Sequence, residues 1–424
     1  MKNVLYLTSA TIAFALGNGL MVVSVPQAAL GYRMSSDEIG LLSAGGAAGY
    51  MIGCIALGQL LHGYCGKRVS MAGVFIGTLS MIVIAQCTTI WPAFIAQLIY
   101  GVAQGAFWPF LSAWLLEFQS DKIPKTRLLR FYNAGWTSGA ASGMYLGGVL
   151  CERGWTAAAI YTGAVITLLS CVGPLLTPGP QAHLETAADA GPDPAKIPAD
   201  PIGFPILLAG IIANVTALGT RAMISFNYPE LNFLLGFDAR RMGLFGAVAL
   251  GGQLGAFLLG AVYEKYLGSR RLYVLMSGLL IFTTLCFAYT ENLAALVGAM
   301  LLCGIVTAMG FQAALIAATE WFTSRRTGTT VHEGLVGFAQ VLPWVAGLAA
   351  QYAKNHGTEA RTALRMPFVI LPIMLAVLLA VQMVLVTGCK TRRILLRRVD
   401  EESRAISSEQ GTALAASPVA ADRA

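Results

Sequence analysis

Charge is what this 424-residue sequence has least of: only 12% of its residues are Asp, Glu, Lys or Arg, whereas 56% are hydrophobic. A soluble domain carries about a quarter charged residues. The chain therefore has too little charge to cover a water-facing surface. Its mean hydropathy of +0.67 indicates that a lipid bilayer is its solvent.

Enzyme and metal-site motifs are also missing. The sequence contains no Asp-rich motif, no HExxH and no phosphate-binding loop. None of its eight cysteines forms a CxxC pair, and most lie inside apolar runs, as small packing residues do. The sequence therefore predicts neither an enzyme nor a cofactor or metal site.

The apolar residues fall into twelve runs, each close to the ~20 residues of a membrane-spanning helix. Backbone polar groups must be satisfied inside lipid, so each run is predicted to be a helix. The first run is long enough to span and has a counterpart later in the chain, so we interpret it as a helix rather than a signal peptide. The runs are 4–26, 38–61, 69–89, 92–116, 131–151, 155–177, 203–226, 242–263, 271–290, 293–318, 333–352 and 366–388.

Two polar segments divide the chain. Residues 178–202, rich in Pro, Ala and Asp, predict a flexible cytoplasmic linker, and residues 389–424 predict a cytoplasmic tail that is basic and then disordered. The six-helix bundles are accordingly expected at 1–177 and 203–388. Most of the 28 Lys and Arg lie in the loops on the side of the termini. This bias predicts cytoplasmic termini in a bacterial inner membrane, and such scattered clusters do not indicate nucleic-acid binding.

The two halves of the sequence resemble each other. The clearest repeat is a loop that reads as glycine, three residues, a polar residue, three more, glycine and then two basic residues within the next three positions. It occurs after the second predicted helix and again after the eighth. Its first copy includes Gly58, Gly66, Lys67 and Arg68, and its second includes Gly260, Glu264, Gly268, Arg270 and Arg271. A loop repeated at the same place implies a six-helix unit present twice in parallel orientation.

This duplicated loop resembles that of the major facilitator superfamily, which reads roughly G-x-x-x-D-R-x-G-R-R. The first copy departs from it, with His62 at the acidic position and Gly63 at the basic one. The resemblance implies an all-α membrane protein of twelve helices in two pseudo-symmetric six-helix bundles, acting as a secondary transporter. It also implies a cavity lined by the first, fourth, seventh and tenth helices. Phe107-Trp108-Pro109, Asn133-Ala134-Gly135-Trp136 and His332-Glu333-Gly334 are similar to bacterial permeases of that superfamily, a similarity that names no substrate.

The resemblance also suggests gating residues. Glu117 and Glu320 end the fourth and tenth predicted helices at repeat-equivalent positions. In the family such carboxylates pair with the loop bases when the inner gate shuts, so these two residues and the loop residues above are the predicted gating set. The alternative is that all of them are ordinary solvated helix ends.

Polar and aromatic residues at mid-membrane depth are the candidates for substrate binding. Each could instead make a helix–helix hydrogen bond, worth about 0.6 kcal/mol. Amides and aromatic rings suit a small polar organic solute that is neutral or weakly charged. The substrate-binding candidates are Asn18, Gln104, Trp108, Asn214, Thr216, Arg221 and Gln312, with Gln253, Gln340 and Trp344 at similar depth.

Two kinds of charge remain open to interpretation. Arg221, towards the outer end of the seventh run with Glu230 as a possible partner, either attracts an anionic substrate or reaches the outer headgroups. No carboxylate lies at the middle of a predicted helix. Glu333 comes nearest, beside His332, where a contact at a helix end is the simpler interpretation. A coupling proton or cation is therefore left open.

Small residues spaced four apart predict close helix packing. The fifth predicted helix carries Gly135, Gly139, Gly143 and Gly147, the second carries Gly45, Gly49 and Gly53, and the eighth carries Ala247, Gly251 and Gly255. We expect these stripes either to form a surface on which the two halves rock or to be static packing.

The function favoured by these patterns is a permease that moves a small polar organic solute by alternating access, as a monomer in the lipid bilayer. The alternatives are an efflux pump for drugs or other amphipathic molecules, and a non-transporting sensor or assembly protein with the same fold.

Overall fold

The computed structural model describes residues 2–57, 63–118, 125–179, 203–263, 266–322 and 325–387, and every regular element within these ranges is a helix. Most of the predicted linker, at 180–202, and the predicted tail, at 388–424, lie outside the described residues, as do Gly58, His62 and Glu264. The first half contains α1 (Lys2–Gly31), α2 (Ser36–Ile52, extended by a π-helical turn at Gly53–Leu57), α3 (Gly63–Gln86), α4 (Ile90–Leu116), α5 (Lys125–Glu152), α6 (Thr156–Leu169) and α7 (Val172–Leu176). The second half contains α8 (Phe204–Leu234), α9 (Arg240–Leu258), α10 (Gly260–Tyr263), α11 (Arg270–Tyr289), α12 (Leu293–Trp321), α13 (Arg325–Ala339), α14 (Leu342–Asn355) and α15 (Ala360–Thr387).

These elements form twelve membrane-spanning rods, as predicted. Eleven rods of the described chain are long and apolar enough to cross a bilayer. The twelfth is α5, whose 28 residues extend about 42 Å at 1.5 Å per residue. Three spans are interrupted: α6 is followed by α7, α9 by α10 and α13 by α14. We call the side that carries Lys2 and Thr387 the terminal side and the opposite one the far side.

The surface of the bundle is apolar, as lipid requires. Val384, Ile373 and Trp91 are exposed by 74%, 65% and 65% of their surface. The interior carries smaller side chains and aromatic rings, for example Tyr228 packed between Phe287 and Phe368 at centroid distances of 4.7 and 5.9 Å. Apolar side chains gain little by leaving lipid, so close packing of small residues must hold the helices together.

The predicted glycine stripes pack within their own halves. A Cβ added at Gly139 or Gly143 would lie 2.4 or 2.1 Å from a carbonyl oxygen of α1, and one at Gly49 would lie 2.0 Å from a carbonyl oxygen of α4. Gly251 and Gly255 have open space around them. In this conformation these stripes do not form a surface between the two halves, so the prediction of a rocking surface is wrong for them. The stripes in α2 and α5 instead pack their helices within the first half.

Other glycines bring the two halves together on the far side. A Cβ at Gly243 of α9 would lie 2.5 Å from the carbonyl oxygen of Met144 and 2.9 Å from the Cα of Gly148, both in α5. A Cβ at Gly40 of α2 would lie 2.5 Å from the carbonyl oxygen of Pro343 in α14. The far side is thus closed by backbone packed on backbone, which only glycine permits at such distances.

Candidate functional site

A cavity of about 200 Å³ lies between the two halves. From the first half, α1, α2, α4 and α5 line it; from the second, α8, α9, α12 and α13 do, together with Gln340 at the break after α13. Four of the predicted binding residues face it: Asn18, Gln104, Trp108 and Arg221. Gln253 and Gln340 from the same depth also line it.

Three other candidates do not line the cavity. Asn214 is fully buried, and neither of its amide atoms has a hydrogen-bond partner. Thr216 donates its hydroxyl to the carbonyl of Ile212 in its own helix, at 2.8 Å. Gln312 accepts a hydrogen bond from Tyr263 inside the second half. Trp344 is also absent from the lining.

The cavity wall contains side chains that the sequence did not single out. Tyr100 donates its hydroxyl to Asn18 at 3.1 Å, which fixes that amide. Trp108 packs edge-on against Phe14 and Tyr132 at 5.1 and 6.2 Å. The lining residues that the sequence did not single out are Ser43, Tyr50, Gln97, Tyr100, Tyr132, Ser225 and Phe311, with several apolar side chains. Trp136 and Glu333, which the sequence singled out on other grounds, also line the cavity.

Arg221 points into the cavity rather than to the headgroups. One of its guanidinium nitrogens donates to Oε1 of Gln253 at 2.7 Å, and Gln253 is itself completely buried. The expected partner Glu230 instead forms an ion pair with Lys354. The interpretation that Arg221 reaches the outer lipid surface is therefore wrong.

Glu333 is a cavity residue and not a helix-end contact. Its helix begins at Arg325, two turns earlier than predicted, so the carboxylate lies inside the span. The hydroxyl of Tyr50 donates to its Oε2 at 2.5 Å, which joins the two halves. His332 points elsewhere, is completely buried and packs edge-on against Phe311 at 4.5 Å.

A polar cluster closes the far end of the structure above the cavity. Lys354 of α14 pairs with Glu230 of α8 and donates to the hydroxyl of Ser36 in α2 at 2.7 Å. That hydroxyl donates in turn to Glu230 at 2.5 Å. Ser43 donates to the carbonyl of Gln340 at 3.0 Å, at the break between α13 and α14. These bonds hold the two halves together on the far side, in addition to the glycine contacts.

The predicted gating residues on the terminal side that the structure describes lie at helix ends and in the loops between helices. Nζ of Lys67 donates to the carbonyl of Thr177 at 2.9 Å and lies 5.5 Å from the ring centroid of Trp114. Gly268 has φ +77°, a left-handed conformation that favours glycine. Gly66 and Gly260 are buried and Arg68, Arg270 and Arg271 exposed. Glu117 caps α4, and Glu320 lies in the last turn of α12.

Comparisons with known proteins agree on the fold. A family model described as Major Facilitator Superfamily matches residues 7–289 and 210–418. The nucleoside transporter NupG superimposes with a TM-score of 0.71 at 14% identity, over 91% of this chain and 99% of that one. A bacterial homolog of the human lysosomal transporter Spinster, in an inward-facing and occupied conformation, gives 0.69 at 14% identity, over 92% of this chain and 97% of that one. A sequence comparison with curated proteins finds no match.

Proposed function

This chain belongs to the Major Facilitator Superfamily, and on that premise we propose that it is a secondary transporter that moves a small polar organic solute by alternating access. The observation that carries the proposal is the cavity, which has polar and aromatic walls from both halves. A solute held there contacts two bodies whose relative position decides which side it can reach.

The contacts between the halves differ at the two ends of the cavity. On the far side, backbones touch at Gly243 and Gly40. Towards the terminal side, side chains make the contacts: Tyr50 bonds Glu333, and the ring of Trp136 lies 6.1 Å from that of Phe257. We propose that transport separates the glycine contacts and tightens the side-chain contacts. The duplicated loop bases with Glu117 and Glu320 would then lock the terminal side.

The cavity favours a small solute over a large amphipathic drug. Its volume of about 200 Å³ falls below the ~300–1,000 Å³ of typical drug-sized sites. Five amide side chains at different depths of the cavity wall suit a solute with polar groups on several sides. The carboxylate of Glu333 would carry a coupling proton, because an ionisable group that faces a cavity inside the membrane is a candidate proton relay.

The setting that we propose is a bacterial inner membrane, with both termini cytoplasmic and the monomer as the working unit. Its support is the excess of Lys and Arg in loops on the terminal side.

Access to the cavity from each side tests the proposal. Ser225 lines the cavity on α8, and Ser225→Cys would be made in a chain whose eight native cysteines are replaced. A membrane-impermeant maleimide should label this cysteine in both right-side-out and inside-out vesicles, since each conformation opens one side. A sensor or assembly protein held in one conformation would be labelled from one side only, which would contradict transport.

A matched control shows that labelling reports on the cavity. Ala360, the first residue of α15, is exposed on the far side. Ala360→Cys should react in right-side-out vesicles alone if the termini are cytoplasmic. This control also fixes which side each vesicle preparation exposes.

A further inference from the structure

Arg221 is a cation without an anion. The ion pairs of the described residues join Lys354 to Glu230 and Arg361 and Arg365 to Glu291, and none includes Arg221. A guanidinium has five N–H donors, and that of Arg221 makes one hydrogen bond, to Gln253, among the residues that the structure describes. The charge therefore faces the cavity with most of its donors unused.

Among the cavity-lining residues that the structure describes, Glu333 is the one carboxylate, and it cannot serve as this anion. Glu333 lies eight residues into its span and Arg221 seventeen residues into a span that starts on the same side. At 1.5 Å per residue their backbones lie about 12 and 25 Å along their helices. Glu333 is bonded to Tyr50 at its own depth. The two charges thus occupy different ends of the cavity.

An uncompensated cation inside a membrane protein is costly unless something pairs with it. Gln253 holds the guanidinium by its side-chain oxygen, so the group is positioned rather than mobile. A guanidinium's fixed fork matches the two oxygens of a carboxylate. A single positive charge balances a monoanion, whereas a dianionic phosphate would bring a second negative charge that this depth of the cavity does not neutralise.

The aromatic side chains supply a surface for the rest of such a ligand. Trp108 is braced by Phe14, Phe107 and Tyr132 at centroid distances between 5.1 and 6.2 Å, and Trp136 by Phe257. Because other rings hold these indoles, they form a preorganised apolar wall beside the amides of Asn18 and Gln104.

We propose that the transported solute is a small organic monoanion, a carboxylic acid with an apolar or aromatic body, whose carboxylate binds Arg221. This rests on the proposed function and narrows it. Gln253 is then a positioning residue for the guanidinium, and the body of the acid lies towards Trp136, eleven residues into a helix that starts on the terminal side.

The test compares acids with their neutral amides. Benzoate with benzamide, cyclohexanecarboxylate with cyclohexanecarboxamide, and indole-3-acetate with indole-3-acetamide would be titrated into the purified chain while its thermal unfolding is followed. A ligand that binds the native state raises the unfolding temperature by mass action. At least one acid should stabilise the chain, and its amide should not.

Variants assign the effect to Arg221. Arg221→Gln should weaken binding of that acid by about 30-fold or more, the loss expected when one partner of a buried charge pair is removed. Arg221→Lys keeps the positive charge but not the paired N–H donors of the guanidinium, so its affinity for the acid should fall by less. Arg153→Gln, which alters an exposed arginine outside the cavity, should bind as the wild type does.

A second readout leaves Arg221 intact and so does not depend on how its variants fold. In the Ser225→Cys chain the acid should slow maleimide labelling, and the amide should not. The assignment would be overturned if the amides bound as well as the acids, or if no acid in the panel raised the unfolding temperature more than its amide did. It would also be overturned if the acid bound Arg221→Gln as tightly as the parent. If Ser225→Cys were labelled from both sides but no acid bound in preference to its amide, the transport proposal would stand and only the choice of solute would be wrong. If an acid bound but labelling came from one side only, the solute assignment would stand and transport would be wrong.

Discussion

Gly243→Ala is expected to hold the far side open. The added Cβ would meet the carbonyl oxygen of Met144 at 2.5 Å and the Cα of Gly148 at 2.9 Å, and these are backbone atoms that cannot turn aside. Overpacking of this kind costs ~1–3 kcal/mol, so the balance between the two conformations should shift by roughly 5- to 150-fold. The measurement is labelling of Ser225→Cys, which should rise from the far side and fall from the terminal side.

Gly251→Ala is the matched control on the same helix. It adds the same methyl group and the same gain in helix propensity, but nothing lies within 4 Å of the added Cβ. Labelling from both sides should stay as in the parent. If Gly243→Ala behaved like Gly251→Ala, the glycine contact would not be the far-side closure.

Glu333→Gln is expected to abolish the response of the conformational balance to pH. The ionised carboxylate accepts a charge-assisted hydrogen bond from Tyr50 across the halves. Protonation weakens that bond, so acid should favour opening of the terminal side and alkali should favour its closure. Terminal-side labelling of Ser225→Cys, normalised at each pH to labelling of unfolded chain, should fall as pH rises in the parent and stay flat in Glu333→Gln.

Other titratable groups near Glu333 must be separated from it. Tyr50, Cys54 and Tyr132 are its titratable neighbours from packed helices, and His332 adjoins it in sequence. Tyr50→Phe keeps the carboxylate but removes the bond through which its charge acts, so the pH response should be lost or much reduced, as in Glu333→Gln. Glu359→Gln, in an exposed far-side loop, should leave the response unchanged. A pH response that survives in Glu333→Gln would assign it to another group.

The fold could be predicted from the sequence because the bilayer alone determines that apolar runs form helices. Twelve runs near the length of a span and a loop present twice gave the fold, because lipid forces every apolar run into a helix. The helix ends predicted from the apolar runs were nevertheless wrong in places. The seventh run was predicted to stop at residue 226, but α8 continues to Leu234, so Arg221 lies near the middle of its helix and not near the outer surface.

Glu333 was missed for the same reason. The eleventh run was predicted to begin at residue 333, yet α13 begins at Arg325 with a polar first half. A helix segment with polar side chains has a low mean hydropathy even where it lies within the membrane, so a hydropathy criterion does not detect it. A helical period of polar and small residues before the run, such as Arg325, Thr329 and Glu333, was the available signal.

Which part of a helix face meets the cavity was beyond the sequence. Asn214 and Arg221 lie about two turns apart and so on nearly the same face of α8, but Asn214 is packed against α12 and buried, whereas Arg221 reaches the cavity wall. The four-residue glycine spacing likewise identified a small face without its neighbour. Tertiary packing decides both, and one sequence does not encode it locally.

Reciprocal movement of the two ends is the central claim, and paired distance measurements by electron spin resonance test it most directly. Spin labels at Arg153→Cys and Ala360→Cys report on the far side, and labels at native Cys65 and Val262→Cys report on the terminal side; all four positions are exposed. From the parent to Gly243→Ala, the far-side distance should lengthen while the terminal-side distance shortens. Distances that stay fixed, or that change in the same direction, would contradict the account.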